Sequence, residues 1–134
     1  MTTMVVAMLS VSLYSCSSDD DESNSSYKKL IVGTWEITHE IVYDAEGNVK
    51  YERNNPSTWV HIYSADGTYT TTDGKYSESA KWSISGNRLS LNYGKEIETE
   101  TIKSLTENSM VLLYDEYKDG SVEITTYSKV KKEE

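Results

Sequence analysis

One hundred and thirty-four residues suit a single domain, and 22 acids against 13 bases give the chain a net charge of −9. That balance lacks the Lys/Arg stripe a phosphate backbone requires and excludes nucleic acid as a partner. A lone cysteine excludes an intrachain disulfide, so the fold rests on its core; 11 Tyr and 3 Trp with no Phe and one Pro favour half-buried strands.

Met4 to Tyr14 reads MVVAMLSVSLY, an uncharged and mostly apolar stretch. A bilayer crossing takes roughly 20 such residues, whereas this length fits the h-region of a signal peptide, roughly 7–15 residues long. Thr2 and Thr3 supply no basic n-region. Either the N-terminal amine serves in its place or translation starts upstream of Met1, and the second is expected. Leu13-Tyr14-Ser15-Cys16 resembles the lipobox of bacterial lipoproteins. That resemblance implies cleavage before Cys16, diacylation of its sulfur and a membrane anchor, with residues 1–15 as the signal peptide.

Ser17 to Ser26 contains no apolar residue. Such a stretch buries too little surface to offset its ordering entropy, so residues 16–29 read as a lipidated Cys on a disordered tether. The acids Asp19, Asp20, Asp21 and Glu22 lead it. They resemble the export signal that carries some Gram-negative lipoproteins to the outer face of the outer membrane; the alternative is a solvated spacer. The expected location is the outer membrane, with exposure at the cell surface under the first reading.

From residue 30 to residue 134 the pattern becomes that of one all-β domain. Trp35, Ile37, His39 and Ile41 alternate with Thr34, Glu36, Thr38 and Glu40, the period of a strand. Asp66-Gly67, Asp73-Gly74, Gly86-Asn87 and Asp119-Gly120 are among the turn signals that follow at close spacing. Between the turns, runs at residues 58–64, 68–72, 79–84, 88–92, 96–105, 109–117 and 122–130 read as further strands. About eight strands joined by hairpins form an up-and-down antiparallel meander that can close into a barrel.

Gly33-Thr34-Trp35 opens the first strand, Tyr63-Ser64-Ala65-Asp66-Gly67-Thr68-Tyr69 forms a hairpin, and Lys81 to Leu91 carries a Trp strand and a Gly-Asn turn. In that order they resemble the lipocalin superfamily, and most closely the short lipocalin-like domains of bacterial lipoproteins. The resemblance implies a lipocalin-like barrel over about residues 30–130. Two departures stand out. Full-length lipocalins carry a C-terminal helix that has no counterpart after Val130, and their last strand offers an Arg over the first-strand Trp, where this chain has Lys129. A hormone- or retinoid-carrier role is therefore not transferred.

Trp35 is expected to plug the closed end of the barrel. Trp59, His61 and Tyr63 share one strand face, as do Ala80, Trp82 and Ile84. With these faces inward, Trp59, His61, Tyr63, Tyr69, Trp82 and Tyr114 are the candidate ligand contacts; the rival register turns Val60 and Ile62 inward instead. His39 and His61 lack a third partner at matching height, so no metal site is expected. Glu96, Glu98 and Glu100 lie on one strand face and read as solvent-facing, and with no triad order, phosphate loop or zinc signature the chain reads as no enzyme and without a cofactor. The resulting expectation is a monomeric cell-envelope lipoprotein, anchored in the membrane by its lipid, whose small barrel binds a small, partly apolar ligand. The alternative is a structural or accessory surface lipoprotein with a barrel filled by its own side chains.

Overall fold

The computed structural model describes residues 26–131. The expected signal peptide, Cys16 and the acidic tract lie outside the described residues. A helical turn, α1 (residues 26–31), precedes nine strands. These are β1 (Gly33–Tyr43), β2 (Val49–Asn54), β3 (Val60–Tyr63), β4 (Thr68–Thr72), β5 (Ser77–Ser85), β6 (Arg88–Asn92), β7 (Ile97–Leu105), β8 (Ser109–Tyr114) and β9 (Val122–Lys129). β1 pairs antiparallel with both β2 and β3, neighbours from β3 to β9 pair antiparallel along the chain, and β9 returns to pair with β1 from Trp35 to Tyr43. The result is a closed antiparallel barrel of eight strands, β1 and β3–β9, with β2 as an extra.

β2 is the strand that the turn pattern leaves out. It pairs with the second half of β1 (His39↔Asn54), while β3 pairs with the first half (Glu36↔Val60). β2 and β3 thus lie in line along one edge of β1, separated by an excursion at residues 55–59. Asn55, at φ 47°, turns the chain out there, and its N–H donates to the Thr38 carbonyl at 2.9 Å. All six residues of β2 are exposed, so pairing with β1 holds it and burial does not. Hydrophobic alternation has little to report in such a strand.

The turns follow directly from sequence chemistry. Asp66 Oδ1 accepts the Thr68 N–H at 3.0 Å, and Asp73 Oδ1 accepts those of Lys75 and Tyr76. Asp44, Asn92 and Asp119 do the same in their own turns. Each side chain satisfies amides that the hairpin leaves unpaired. These donated bonds hold the Asp66 and Asp73 carboxyls below their ordinary range and Asp119 at about 2.

Bulges set which side chains face inward. In the β1–β9 ladder Ile37 pairs with Tyr127 and His39 with Thr126, so Thr38 is the extra residue. One extra residue flips the face of everything beyond it. Trp35 and Ile37 point inward before the bulge; Glu40 and Val42 do so after it, sharing a face with Thr125 and Glu123. His39 and Ile41, expected on the Trp35 face, are therefore turned outward, and His39 Nε2 meets Glu52 at 2.7 Å. Lys103 is skipped in the same way in the β7–β8 ladder.

α1 closes the lower end. The sequence reading assigned part of it to the tether, because six residues are too few to show a helical period. Tertiary packing forms it instead: Ile31 is 0 % exposed, and Tyr27 and Leu30 pack on the core. Its last carbonyls find side-chain donors. The Trp35 indole N–H donates to Ile31 O at 2.8 Å, and Lys129 Nζ donates to Leu30 O at 2.9 Å. Lys129 also sits 5.0 Å over the Trp35 ring, so a lysine fills the place of the lipocalin arginine.

Candidate functional site

Cross-strand partners share a face, so the ladders trace the barrel's interior from floor to mouth. Around the floor lie Trp35, Ile84, Leu89, Ile102, Leu105 and Met110, in one core cluster with Ile31. Above the floor the inward positions turn polar. Leu89 pairs with Glu100 and Leu91 with Glu98 on β7, while Leu112 pairs with Thr125 and Tyr114 with Glu123 between β8 and β9. Glu98, Glu100 and Glu123 thus ring the upper interior.

The sequence reading placed Glu96, Glu98 and Glu100 in solvent; Glu96 and Glu98 are exposed, and Glu100 alone is drawn into the barrel wall. The parity that buries Ile102 also puts Glu98 and Glu100 on the inner face, Glu98 at the open mouth, leaving Ile97 outside at 61 % exposure. Ile97 was the misleading signal. An apolar residue flanked by acids reads as the buried member of the pair, yet here it is the exposed one.

At the mouth the acids open on a cavity of about 180 Å³ lined by Glu98, Glu100, Tyr114, Tyr117 and Glu123. Tyr114 and Tyr117 meet edge to face with centroids 4.7 Å apart. Glu123 is satisfied by hydroxyls: Tyr117 O–H donates at 2.6 Å and Thr125 O–H at 3.1 Å. Glu98 and Glu100 have no cation partner among the described residues. Three of the described bases pair with other acids, Arg53 with Glu40, Lys50 with Asp119 and Arg88 with Glu116. Burial, then the charges of Glu98 and Glu123, push the Glu100 carboxyl up to about 7. Burial, then Glu96 and Glu78, raises Glu98 as well.

The same core cluster holds Tyr63, Tyr69 and Tyr127, with His61 beside them as the cross-strand partner of Trp35. His61 Nδ1 is 2.7 Å from the Tyr69 hydroxyl, and burial holds the imidazole neutral, down at about 4. Its Nε2 is sealed in without a hydrogen-bond partner. The ring stands at 87° to that of Tyr127, 5.3 Å away, the arrangement in which an N–H meets a ring face. Tyr63 and Tyr127 are 2 % and 7 % exposed. Burial lifts both phenols well above their ordinary value, and among the charges acting on Tyr127, Glu100 is the largest. Neither hydroxyl has a partner among the described residues.

The six candidate ligand contacts separate on this map. Tyr114 lines the mouth cavity, whereas His61, Tyr63 and Tyr69 pack together deeper in the barrel, His61 and Tyr63 paired with Trp35 and Gly33. Trp82 faces inward but at the closed end, where its indole donates to Ser64 O in the β3–β4 turn at 2.8 Å and meets Tyr63 edge on. Trp59 sits half-buried in the 55–59 excursion. Tyr117, Glu98, Glu100 and Glu123 were missed. Among the described residues no group of three His, Cys, Asp or Glu side chains is close enough to hold a metal ion.

Residues 31–112 match the family model of the lipocalin-like domain. Among solved structures, a lipocalin-like protein from Bacteroides uniformis is similar at a TM-score of 0.52 and 16 % identity, with 75 % of this chain and 99 % of that chain covered. At such identity the likeness is one of fold. No curated protein matches the sequence.

Proposed function

The chain belongs to the lipocalin-like domain family, and from that premise we propose that it is a non-catalytic binding module, carried on the cell envelope by an acylated Cys16, whose barrel takes a small, partly apolar molecule at its open end. One observation carries the reading: the barrel is plugged at one end by α1, Trp35 and Lys129 and open at the other onto a tyrosine-walled cavity. A barrel that only needed to fold would gain little from setting a half-buried carboxylate such as Glu100 beside two more acids at its mouth. The envelope part rests on the apolar run at residues 4–14, the Leu13-Tyr14-Ser15-Cys16 motif and the polar stretch that follows. The Asp19–Glu22 tract extends it to the outer membrane and its outer face.

Native mass spectrometry of the protein purified from its own host tests the binding reading, with a retained small molecule as the expected result. For the anchor, Cys16→Ala should move the protein from the detergent phase to the aqueous phase; unchanged partitioning would sink the lipoprotein reading. A second reading, a structural surface lipoprotein with a filled barrel, draws on the cavity's size. About 180 Å³ falls below the roughly 300–1,000 Å³ of drug-sized sites. Repeated purifications that yield only the bare chain would favour it.

A further inference from the structure

Resting on the anchor part of the proposed function, we infer that a groove beside the plug is a site for the anionic phosphate head of a membrane lipid, with the first methylenes of the lipid's chains laid on Val32 and Val130. The groove lies at the end of the barrel away from the mouth. Val32 and Gly33 line it where β1 begins, Asn108 in the β7–β8 turn, and Lys129, Val130 and Lys131 where β9 ends. Its volume is about 400 Å³, against about 180 Å³ at the mouth. That falls within the roughly 300–1,000 Å³ of small-molecule sites.

The first ground is the chemistry of the lining. Val130 is 38 % exposed and Lys131 is exposed, so an apolar wall and an ammonium stand side by side at the rim. Lys129 supplies the inner cation. Gly33 lets its stem lie close, since a Cβ there would sit 3.2 Å from Lys129 Cε and 3.6 Å from Nζ. One of the three ammonium N–H groups donates to Leu30 O, and the charge sits over the Trp35 ring. Both of these partners are neutral. Among the described residues the ion pairs engage His39, Lys50, Arg53 and Arg88, and Lys129 joins none of them. A half-buried ammonium without a counter-charge is a standing site for an anion, and lysine binds phosphate as a point charge.

The second ground is where the chain leads. α1 brings the exposed Lys28 and Lys29 to the same plugged end, so four lysines gather there in a chain of net charge −9. Against them, in the turns of this end, stand Asp66, which accepts its own turn amide, and Glu107 beside Asn108. Cys16 precedes Ser26 by ten residues, and that length extends at most ~35 Å. An acylated Cys16 therefore holds this end within reach of the lipid phosphates. The valine walls separate a lipid from a free anion, because inorganic phosphate has nothing to lay on them.

The test is proton–nitrogen correlation NMR of the full chain in nanodiscs of phosphatidylcholine alone and of phosphatidylcholine mixed with phosphatidylglycerol. The anionic lipid should shift the amides of Gly33, Asn108, Lys129 and Val130 and leave those of Tyr114 and Tyr117 at the mouth in place. Val130→Glu with Lys131→Glu, both at the exposed rim, should abolish those shifts, whereas Lys95→Glu in the β6–β7 turn should keep them. Inorganic phosphate added to the phosphatidylcholine discs should move none of these amides. If it moves the groove amides as the lipid does, the groove is an anion site and the lipid assignment is overturned. Identical spectra in the two kinds of disc also overturn it, and they leave the anchor standing as long as the chain co-elutes with the discs. A chain that does not co-elute removes the anchor instead. Dihexanoylphosphatidylglycerol in free solution then decides the groove, and unmoved groove amides overturn the site.

Discussion

Replacing Glu100 by Gln should change the pH dependence of stability in a direction set by two opposed groups. In the folded protein Glu100 titrates at about 7 rather than near 4.5. The folded state therefore holds the proton more tightly than the unfolded chain, and the contribution of Glu100 to stability is lost as pH rises from about 4.5 to about 7. At full ionisation that loss is about 3 kcal/mol, and about 2–3 kcal/mol once residual solvent contact is allowed for. His61 runs the other way. Its folded value of about 4 lies below the ordinary 6.5, so its contribution is present above that value and lost as pH falls toward 4. Between about pH 4.5 and about pH 6.5 the two slopes nearly cancel. Glu100→Gln removes the falling slope and exposes the rising one. Urea denaturation across this range and up to about pH 8 should show the variant gaining about 2–3 kcal/mol on the parent as pH rises. Parallel profiles for the two proteins would refute the burial of Glu100 and the inward face of β7 with it.

Two further outcomes probe the closed end. Trp35→Ala should cost ~3–5 kcal/mol as a large-to-small core change, and more than Trp82→Ala, because Trp35 is fully buried and caps Ile31 O whereas Trp82 is half-buried. Chemical denaturation with Trp82 as the costlier loss would overturn the assignment of the floor. Gly33→Ala should cost ~1–3 kcal/mol at φ 141°, with its new Cβ 3.2 Å from Lys129 Cε. Gly47→Ala, at φ 88° with nothing within 4 Å, carries the backbone strain alone. Equal losses of melting temperature in the two variants would mean that Lys129 is not held over Trp35.

Much of the barrel was legible because its devices are local. An Asp that satisfies its own turn amides marks a hairpin wherever it stands, and Asp66, Asp73 and Asp119 all do so. The alternation around His61 and Tyr63 reads correctly because β3 is short and has no bulge. What was not legible depends on a partner strand. The bulge at Thr38 exists only relative to Tyr127 and Thr126, and without it His39 and Ile41 seem to share the Trp35 face. β2 escaped because its exposed residues carry no burial pattern, and α1 because its few residues owe their helix to Trp35 and Lys129. Glu100 was misjudged for a chemical reason, while Glu96 and Glu98 are exposed as their charges suggest. Acids two apart on a strand belong in water unless the barrel's inside is itself wet at that height, and height is fixed by topology.

The placement of α1 bears on the anchor proposed above. The described chain enters the barrel at its plugged end, pinned there by Lys129 and Trp35 to the carbonyls of Leu30 and Ile31. Should Cys16 carry the acyl chains proposed above, the ten residues from it to Ser26 could extend no further than ~35 Å. The barrel would then stand on its plug like a cup on a saucer, close to the lipid, with its rim of acids and tyrosines turned to whatever diffuses past.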